Sequence, residues 1–173
     1  AKRAGCRVLS VVNVVGSTIA TESDDVLYTW AGPEISVAST KAYSTQLAVI
    51  YLLALYIGEQ LGKFTQEQLS AYIAALEKLP EQIDEMLKHK ENIQFFASKY
   101  FNASDMYFIG RNVDYAASLE ASLKLKEISY IHSEAYAAGE LKHGPISLIE
   151  DGTLVIALAT DARLFDKMMS NCL

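Results

Sequence analysis

The sequence predicts an α/β fold built on parallel sheets. Short runs rich in β-branched and apolar residues have the length and composition of buried strands, namely Arg7–Val15, Met106–Ile109 and Thr153–Thr160. Helical patterns alternate with these runs, and strands that alternate with helices pair in parallel. A helical stretch of roughly 65 residues separates the strand groups. This predicts two α/β units with a boundary around residues 90 to 103.

The first unit is expected to open with the strand Arg7–Val15, which is almost continuously apolar and is therefore predicted to be buried on both faces. The turn residues Gly16-Ser17-Thr18 end this strand. Val26–Trp30 is predicted as a second short strand, closed by Ala31-Gly32-Pro33.

Helices fill the stretch between the two strand groups. A long helix is predicted over Thr40–Gly62 and a second one over Gln66–Leu79, which Pro80 stops. The capping candidates are Ser39 or Thr40 for the first helix and Thr65 for the second. The helical pattern continues, with polar interruptions, over Glu81–Lys90 and Asn92–Phe101.

The second unit is expected to begin with the strand Met106–Ile109, which ends at Gly110. A helix is predicted over Tyr115–Ile131, and a segment punctuated by glycines follows it. Thr153–Thr160 is predicted as another buried strand, and Asp161–Asn171 as a helix.

Composition excludes several classes of protein. At 173 residues, 51% apolar and 21% charged, the chain can bury a core and is not disordered. A net charge of −6 leaves no basic excess to neutralise phosphates, so nucleic acid is not an expected partner. The apolar run Leu47–Ile57 is predicted to be a buried helix, because a bilayer span needs about 20 residues. With no secretory signal, the chain is predicted to be cytoplasmic and without membrane partners.

The ends and the cysteines support two further expectations. Cys6 and Cys172 lie near opposite ends without metal-ligand spacing, which predicts free, buried thiols and no metal site. The chain opens on Ala1–Gly5, which has the pattern of a helix end, and Asp161–Asn171 has the pattern of a helix still in progress. The sequence is therefore expected to be a fragment.

Three charged residues form a stripe on the predicted helix Tyr115–Ile131. Glu120, Lys124 and Glu127 fall on one face, flanked by apolar residues. The opposite face is small or polar and is expected to face water; it comprises Ser118, Ser122, Lys126 and Ser129. Charges among apolar residues predict a charged pocket, where a carboxylate beside a lysine can move a proton between carbons. An intrahelical salt-bridge ladder explains the spacing equally well.

Other polar residues are candidates of lower specificity. His143 lies between Gly139 and Gly144 among polar neighbours, so a site there is conceivable, although a lone histidine is more often structural. His132 is expected to be structural. The start of the long helix offers an anion site at free N–H groups, but plain capping explains the same residues, which are Gly32-Pro33-Glu34, Ser36, Ser39 and Thr40. Gly110-Arg111-Asn112 is not a G-x-G-x-x-G, so dinucleotide binding is not supported.

Two long motifs carry a family resemblance. The first is LE at Leu119-Glu120 with LKLKEISYIH over Leu123–His132 and EAYAAGELKHG over Glu134–Gly144, and the second is EISVASTKAYSTQ over Glu34–Gln46. Together they resemble the sugar-isomerase (SIS) domains in the isomerase half of the glutamine–fructose-6-phosphate aminotransferases, also called glucosamine-6-phosphate synthases. The similarity extends over the whole chain, with both motifs in the family's order.

The resemblance implies parts of two tandem SIS subdomains, each a parallel-sheet three-layer α/β sandwich. Residues 1–90 would be the C-terminal part of the first subdomain plus connecting helices, and residues 91–173 the N-terminal part of the second. The implied reaction joins ammonia, released from glutamine by a separate glutaminase domain, to fructose 6-phosphate. The product then isomerises to glucosamine 6-phosphate.

The resemblance also implies roles for individual residues. Glu127 matches the base that moves a proton between C1 and C2 of the sugar, and Lys124 matches its companion in that step. His143 matches the residue for sugar-ring opening, which the neighbouring subunit of a homodimer contributes in the family. Val37 and Ser39 match residues that touch the sugar. The family uses no metal or organic cofactor in this half-reaction.

The chain departs from the family pattern in several places. Three parts of the family pattern are expected to fall outside these 173 residues: the glutaminase domain with its N-terminal cysteine, the phosphate loop rich in Ser and Thr, and the C-terminal tail with the lysine that forms a Schiff base. Cys6 is no substitute for that nucleophile, and Asn112 replaces a common glycine. The fragment is therefore expected to carry proton-transfer residues without most of the phosphate site. Two alternatives remain open, a non-catalytic SIS module that binds sugar phosphate and an interaction fragment.

Overall fold

The computed structural model describes residues 1–173. The chain divides into two compact units, Ala1–Lys90 and Glu91–Leu173. Each unit contains a sheet in which every strand pair is parallel, so the predicted α/β class is confirmed.

The first unit consists of a two-stranded sheet and four helices. After a 3₁₀ turn at Lys2–Ala4, the elements are β1 (Leu9–Val12), α1 (Thr18–Glu22), β2 (Asp25–Tyr28), α2 (Lys41–Gln60), α3 (Gln66–Glu77) and α4 (Leu79–Leu87). In the sheet, Leu9 pairs with Asp25 and Val12 with Tyr28. The short helix α1, which the sequence did not predict, connects the strands; Ser17 caps it by accepting a hydrogen bond from the Ala20 amide.

The apolar segments of the first unit are less buried than predicted. Strand β1 is shorter than the predicted Arg7–Val15 and none of its residues is fully buried, because a two-stranded sheet is too narrow for helices to cover both faces. The prediction of a buried helix at Leu47–Ile57 is also wrong: Ile50 and Leu52 are each 51% exposed, and Gly58 alone is buried in α2. No helix combines the length and the apolar character that a membrane crossing needs.

The predicted boundary between α2 and α3 is close to the observed one. Thr65 caps α3 as predicted, in a reciprocal capping box with Gln68. Helix α3 ends at Glu77, two residues before the predicted end. Pro80 lies in the first turn of α4, where its missing N–H costs no hydrogen bond.

The second unit is a three-stranded sheet with helices on both faces. Its elements are α5 (Lys90–Tyr100), β3 (Asp105–Gly110), α6 (Val113–Ser129), β4 (His132–Ala137), two 3₁₀ turns (Leu141–His143 and Pro145–Leu148), β5 (Leu154–Ala157) and α7 (Phe165–Cys172). The strand order is β4-β3-β5, with β3 in the centre. Only β3 is almost fully buried, and the expected burial of Thr153–Thr160 is wrong, because β5 is an edge strand and half-exposed.

Helices α6 and α7 pack on opposite faces of this sheet. Ser133 of β4 contacts Ser122 of α6 on one face. On the other face, Ile109 of β3 packs against Met168 of α7, in a core completed by Ala138 and Leu141. Because residues 109 and 133 point to opposite faces of the sheet, the unit has a helix–sheet–helix layering.

Both cysteines are free, as predicted, but both are exposed. Cys6 lies before the two-stranded sheet begins, and Cys172 is the last residue of α7. Neither therefore contributes to a core, and the expectation of buried thiols is wrong.

Candidate active site

Helix α6 carries the charged stripe, and it buries half of the face that was expected to lie in water, whereas Lys126 and Ser129 are exposed as expected. Ser118 and Ser122 are fully buried against the sheet, together with Asp114 one turn earlier. The hydroxyl groups find partners inside the fold: Ser118 Oγ donates to the Asp114 carbonyl at 2.7 Å, and Ser122 Oγ is hydrogen-bonded to Ser133 Oγ at 3.0 Å. Burial therefore leaves none of these hydroxyls unsatisfied.

Small residues on this face let the helix approach the sheet closely. A Cβ added to Gly110, the last residue of β3, would lie 2.4 Å from the Asp114 carbonyl carbon and oxygen. Larger side chains at 118 and 122 would hold the helix away from β3 and β4. The serines are therefore packing residues.

The stripe lies at the edge of this buried face. The side chains of Glu120, Lys124 and Glu127 are 20–25% exposed. The flanking apolar residues are not buried as expected, since Leu119 is 49% and Ile128 65% exposed. The stripe thus lies on a partly buried border of the helix.

Lys124 is paired with both carboxylates. Its Nζ lies 2.5 Å from Glu127 Oε2, as a hydrogen bond, and 3.5 Å from Glu120 Oε1. The hydrogen bond to Glu127 is the main cause that raises the pKa of Lys124; partial burial opposes it, and the charges of Glu127 and Glu120 add to it. The salt-bridge ladder is present, and it holds an ammonium group against a carboxylate.

His143 lies apart from the charged stripe. It ends the 3₁₀ turn Leu141–His143, in which buried Leu141 fixes the turn to the core while His143 is exposed. No hydrogen bond or ion pair joins the imidazole to Lys124 or Glu127 in this chain. His132 contacts Asp105 Oδ1 through Nδ1 at 2.9 Å, and this strand-to-strand contact fits the structural role expected for it.

Val37 and Ser39 lie in the first unit, in the loop between β2 and α2. Val37 is 96% exposed, and Ser39 Oγ donates to Glu34 Oε1 at 3.1 Å. Thr40 occupies the N-cap position of α2 but makes no side-chain cap bond, so the predicted cap position is confirmed without its hydrogen bond. The Lys41 ammonium group folds back to the Pro33 carbonyl at 2.8 Å.

Asn13, which falls inside the predicted strand Arg7–Val15 but follows the observed strand β1, organises the start of that loop. Its Oδ1 accepts from Thr29 Oγ1 at 3.1 Å and from the Ala31 amide at 2.9 Å. Its Nδ2 donates to the Gly32 carbonyl at 2.7 Å. The signal that could have identified it is its position: a polar residue just after a parallel strand lies at the edge where ligands bind in α/β folds.

Two further polar pairs fix the corresponding edge of the second unit. The buried Asp114 carboxylate accepts from the Thr160 amide at 2.8 Å and from Thr160 Oγ1 at 2.5 Å. Arg111 donates from Nε and a terminal nitrogen to Asn171 Oδ1, at 3.1 and 2.7 Å. No group of three or more His, Cys, Asp or Glu side chains is arranged to hold a metal ion.

Comparison with known proteins identifies the family. The SIS domain family matches residues 1–56 and 99–171. The glutamine–fructose-6-phosphate aminotransferases (isomerizing) of Caldanaerobacter subterraneus subsp. tengcongensis and Clostridium tetani are 57% and 58% identical over 171 residues, 99% of this chain. The chain spans 28% of the length of each of these two relatives.

A solved structure shows the same fold. The C-terminal domain of glucosamine-fructose-6-phosphate aminotransferase from Francisella tularensis superposes with a TM-score of 0.91 at 37% sequence identity. The match covers 95% of this chain and 46% of that one. The family match, the sequence similarity and the shared fold agree with the resemblance carried by the two motifs, and this chain belongs to the SIS domain family.

Proposed function

We propose that this chain is the isomerase part of a glutamine–fructose-6-phosphate aminotransferase. In this function, ammonia derived from glutamine aminates fructose 6-phosphate, and the product isomerises to glucosamine 6-phosphate. The observation that carries the proposal is the Lys124–Glu127 pair, a carboxylate in a 2.5 Å hydrogen bond with an ammonium group on a half-buried helix face. Relatives named for this activity, more than half identical over the chain, support it.

The chemistry needs a base and a cation in fixed positions. Glu127 would take the proton from C1, so that the C–H electron pair forms the C1=C2 double bond while the C2=N pair moves to nitrogen, which takes up a proton. It would then return its proton to C2 as the C1 hydroxyl loses its proton and becomes the carbonyl of the product. The Lys124 ammonium group would stabilise negative charge that develops on the sugar oxygen. Both residues lie on α6, which buried serines hold to the sheet, so their relative geometry is set before substrate arrives.

The remaining site residues have proposed binding roles. Val37 and Ser39 would contact the sugar from the loop before α2. His143, exposed on its 3₁₀ turn, would open the ring of a sugar that is bound to the neighbouring subunit of a homodimer. This role explains why an imidazole is presented to the outside by a turn anchored through Leu141. No metal or organic cofactor is required for these steps.

In the proposed function, the chain comprises parts of two SIS subdomains. Residues 1–90 form the C-terminal part of one SIS subdomain with connecting helices, and residues 91–173 form the N-terminal part of a second. A glutaminase domain of the complete protein would supply the ammonia. The cytoplasm, where sugar phosphates occur, is the proposed location.

The test is the substitution Glu127→Gln in the protein that carries this chain. Glutamine keeps the size of the side chain but cannot accept the proton, so we expect formation of glucosamine 6-phosphate to be lost and glutamine hydrolysis to be retained. The control is Glu150→Gln, an exposed carboxylate outside the site. Near-normal amino-sugar formation by the Glu127 variant would overturn the assignment. Tight calorimetric binding of fructose 6-phosphate without any turnover by the wild type would instead favour a sugar-phosphate sensor.

A further inference from the structure

Glu120 is the one member of the charged stripe without a role in the proposed chemistry. It lies one turn before Lys124, as Glu127 lies one turn after it, so the lysine is placed between two carboxylates on one helix. The Lys124 Nζ atom lies 3.5 Å from Glu120 Oε1 and 2.5 Å from Glu127 Oε2. All three side chains are half-buried, where charges interact more strongly than in water.

The net charge of the stripe changes during proton transfer. At rest it holds two carboxylates and one ammonium group, a net charge of −1. When the Glu127 carboxylate accepts the proton from the sugar carbon, it becomes a neutral carboxylic acid and ceases to be an ionic partner. Glu120 is then the remaining carboxylate within 4 Å of Nζ. Without Glu120, the partly buried ammonium group of Lys124 would have no counter-charge at the moment when it stabilises the negative charge on the sugar.

We infer that Glu120 is a positioning residue that keeps the Lys124 ammonium group charged and in place while Glu127 carries the proton. This inference rests on the proposed function for its catalytic consequence. The 3.5 Å separation suits the role, because at rest Glu127 keeps the shorter hydrogen bond, and a small rotation of the lysine side chain brings Nζ to Glu120 when Glu127 is neutral.

The kinetic test compares Glu120→Gln and Glu120→Asp in the protein that carries this chain, with Glu150→Gln as the control. For Glu120→Gln we expect kcat for amino-sugar formation to fall about tenfold with KM almost unchanged. The alkaline limb of the pH profile should move to lower pH, because a lysine that loses a neighbouring negative charge gives up its proton more easily. Glu120→Asp keeps the charge and should restore part of kcat and the position of that limb.

Two kinetic outcomes would overturn the inference. In one, Glu120→Gln matches the wild type in both kcat and pH profile. In the other, Glu120→Gln and Glu120→Asp lose activity equally with no movement of the alkaline limb, which is the behaviour of a residue that only supports the helix.

A second measurement needs no turnover and so separates this inference from the proposed function. Glu127→Gln mimics the neutral acid, and NMR of the Lys124 side chain then reports its titration with or without Glu120→Gln. We expect Lys124 to titrate at lower pH, and its Nζ to be more mobile, in the double variant than in the single one. Identical titration and mobility in the two variants would overturn the inference even if the wild type is active. A difference between them would support it even if the proposed reaction fails.

Discussion

The hydroxyl groups of Ser122 and Ser133 lie 3.0 Å apart, in a hydrogen bond that joins helix α6 to strand β4 inside the second unit. Ser133 Oγ also contacts the Ser122 carbonyl at 2.8 Å, so the two residues are linked twice. Lys124 lies two residues after Ser122 on the same helix. The buried serine pair therefore helps to hold the helix that carries the charged stripe to the sheet.

Ser122→Val should destabilise the second unit. Valine adds volume where the helix meets the sheet and removes one partner of a buried hydroxyl, so we expect the free energy of unfolding to fall by about 2 kcal/mol. Denaturant unfolding monitored by fluorescence or circular dichroism measures the change. Ser170→Val is the control, because Ser170 is also helical but exposed. Equal losses in the two variants would show that helix propensity, and not the buried contact, explains the effect.

The helix itself could be predicted from sequence, but its orientation could not. Periodicity placed a helix at Tyr115–Ile131, close to the observed Val113–Ser129. It also indicated that the serine face would be wet, because a serine hydroxyl is polar and its partners are not visible in the local sequence. Ser133 supplies the missing partner from β4, a strand that was itself not predicted, since HSEAYA has no β-branched residue and no clear apolar alternation.

The positions of the strands could also be predicted from the sequence better than their burial. The run MYFI predicted the central strand β3 almost to the residue, because a strand with neighbours on both sides and helices on both faces is apolar throughout. The equally apolar β1 and β5 are half-exposed, since their burial depends on what packs beside them. The same distinction applies to the candidate site. The helical spacing of Glu120, Lys124 and Glu127 predicted that they lie together, whereas the contacts of Asn13 depend on the fold and could not be predicted from the local sequence.

Asn112→Gly should stabilise the second unit. Asn112 precedes α6 with φ +54° and ψ −120°, a backbone conformation that glycine adopts freely and other residues rarely do. Relief of this strain outweighs the greater freedom of glycine in the unfolded chain, so we expect a gain of about 1 kcal/mol. Thermal unfolding measures it, with Asn112→Ala expected to change stability in the opposite direction. A glycine variant that unfolds earlier than the wild type would contradict this account of the turn.

Gly110→Ala should be strongly destabilising. The added Cβ would lie 2.4 Å from backbone atoms of Asp114, which cannot rotate away as a side chain can, so the helix must move from the strand. We expect a loss of about 3 kcal/mol in denaturant unfolding. Gly139→Ala is the matched control, because its Cβ would meet the Arg111 guanidinium group at an ordinary 3.5 Å. If both alanines cost the same, the close approach of α6 to β3 does not matter for stability.

Tyr136 should ionise at a higher pH than an ordinary tyrosine. A hydrogen bond to the Glu134 carboxylate, with partial burial, raises the pKa of Tyr136 to about 12. An unfolded tyrosine ionises near its usual value of about 10. This contribution to stability is therefore complete below pH 10 and is lost as pH rises towards 12. Carbon NMR of the labelled tyrosine ring measures the titration, and Glu134→Gln should lower the pKa of Tyr136. An unchanged value in that variant would assign the shift to burial alone.

Asn13→Ala should loosen the loop that carries Val37 and Ser39. The substitution removes three hydrogen bonds, to Thr29, Ala31 and Gly32, of which two reach backbone groups. We expect the first unit to lose about 2 kcal/mol of stability and the Ala31 amide to exchange with solvent at least tenfold faster. Gln82→Ala is the control, because Gln82 is an exposed amide in the same unit. If the protein also binds fructose 6-phosphate more weakly in the Asn13 variant than in the control, the loop held by Asn13 contributes to sugar binding. Unchanged exchange at Ala31 would mean that the loop keeps its conformation without the Asn13 side chain.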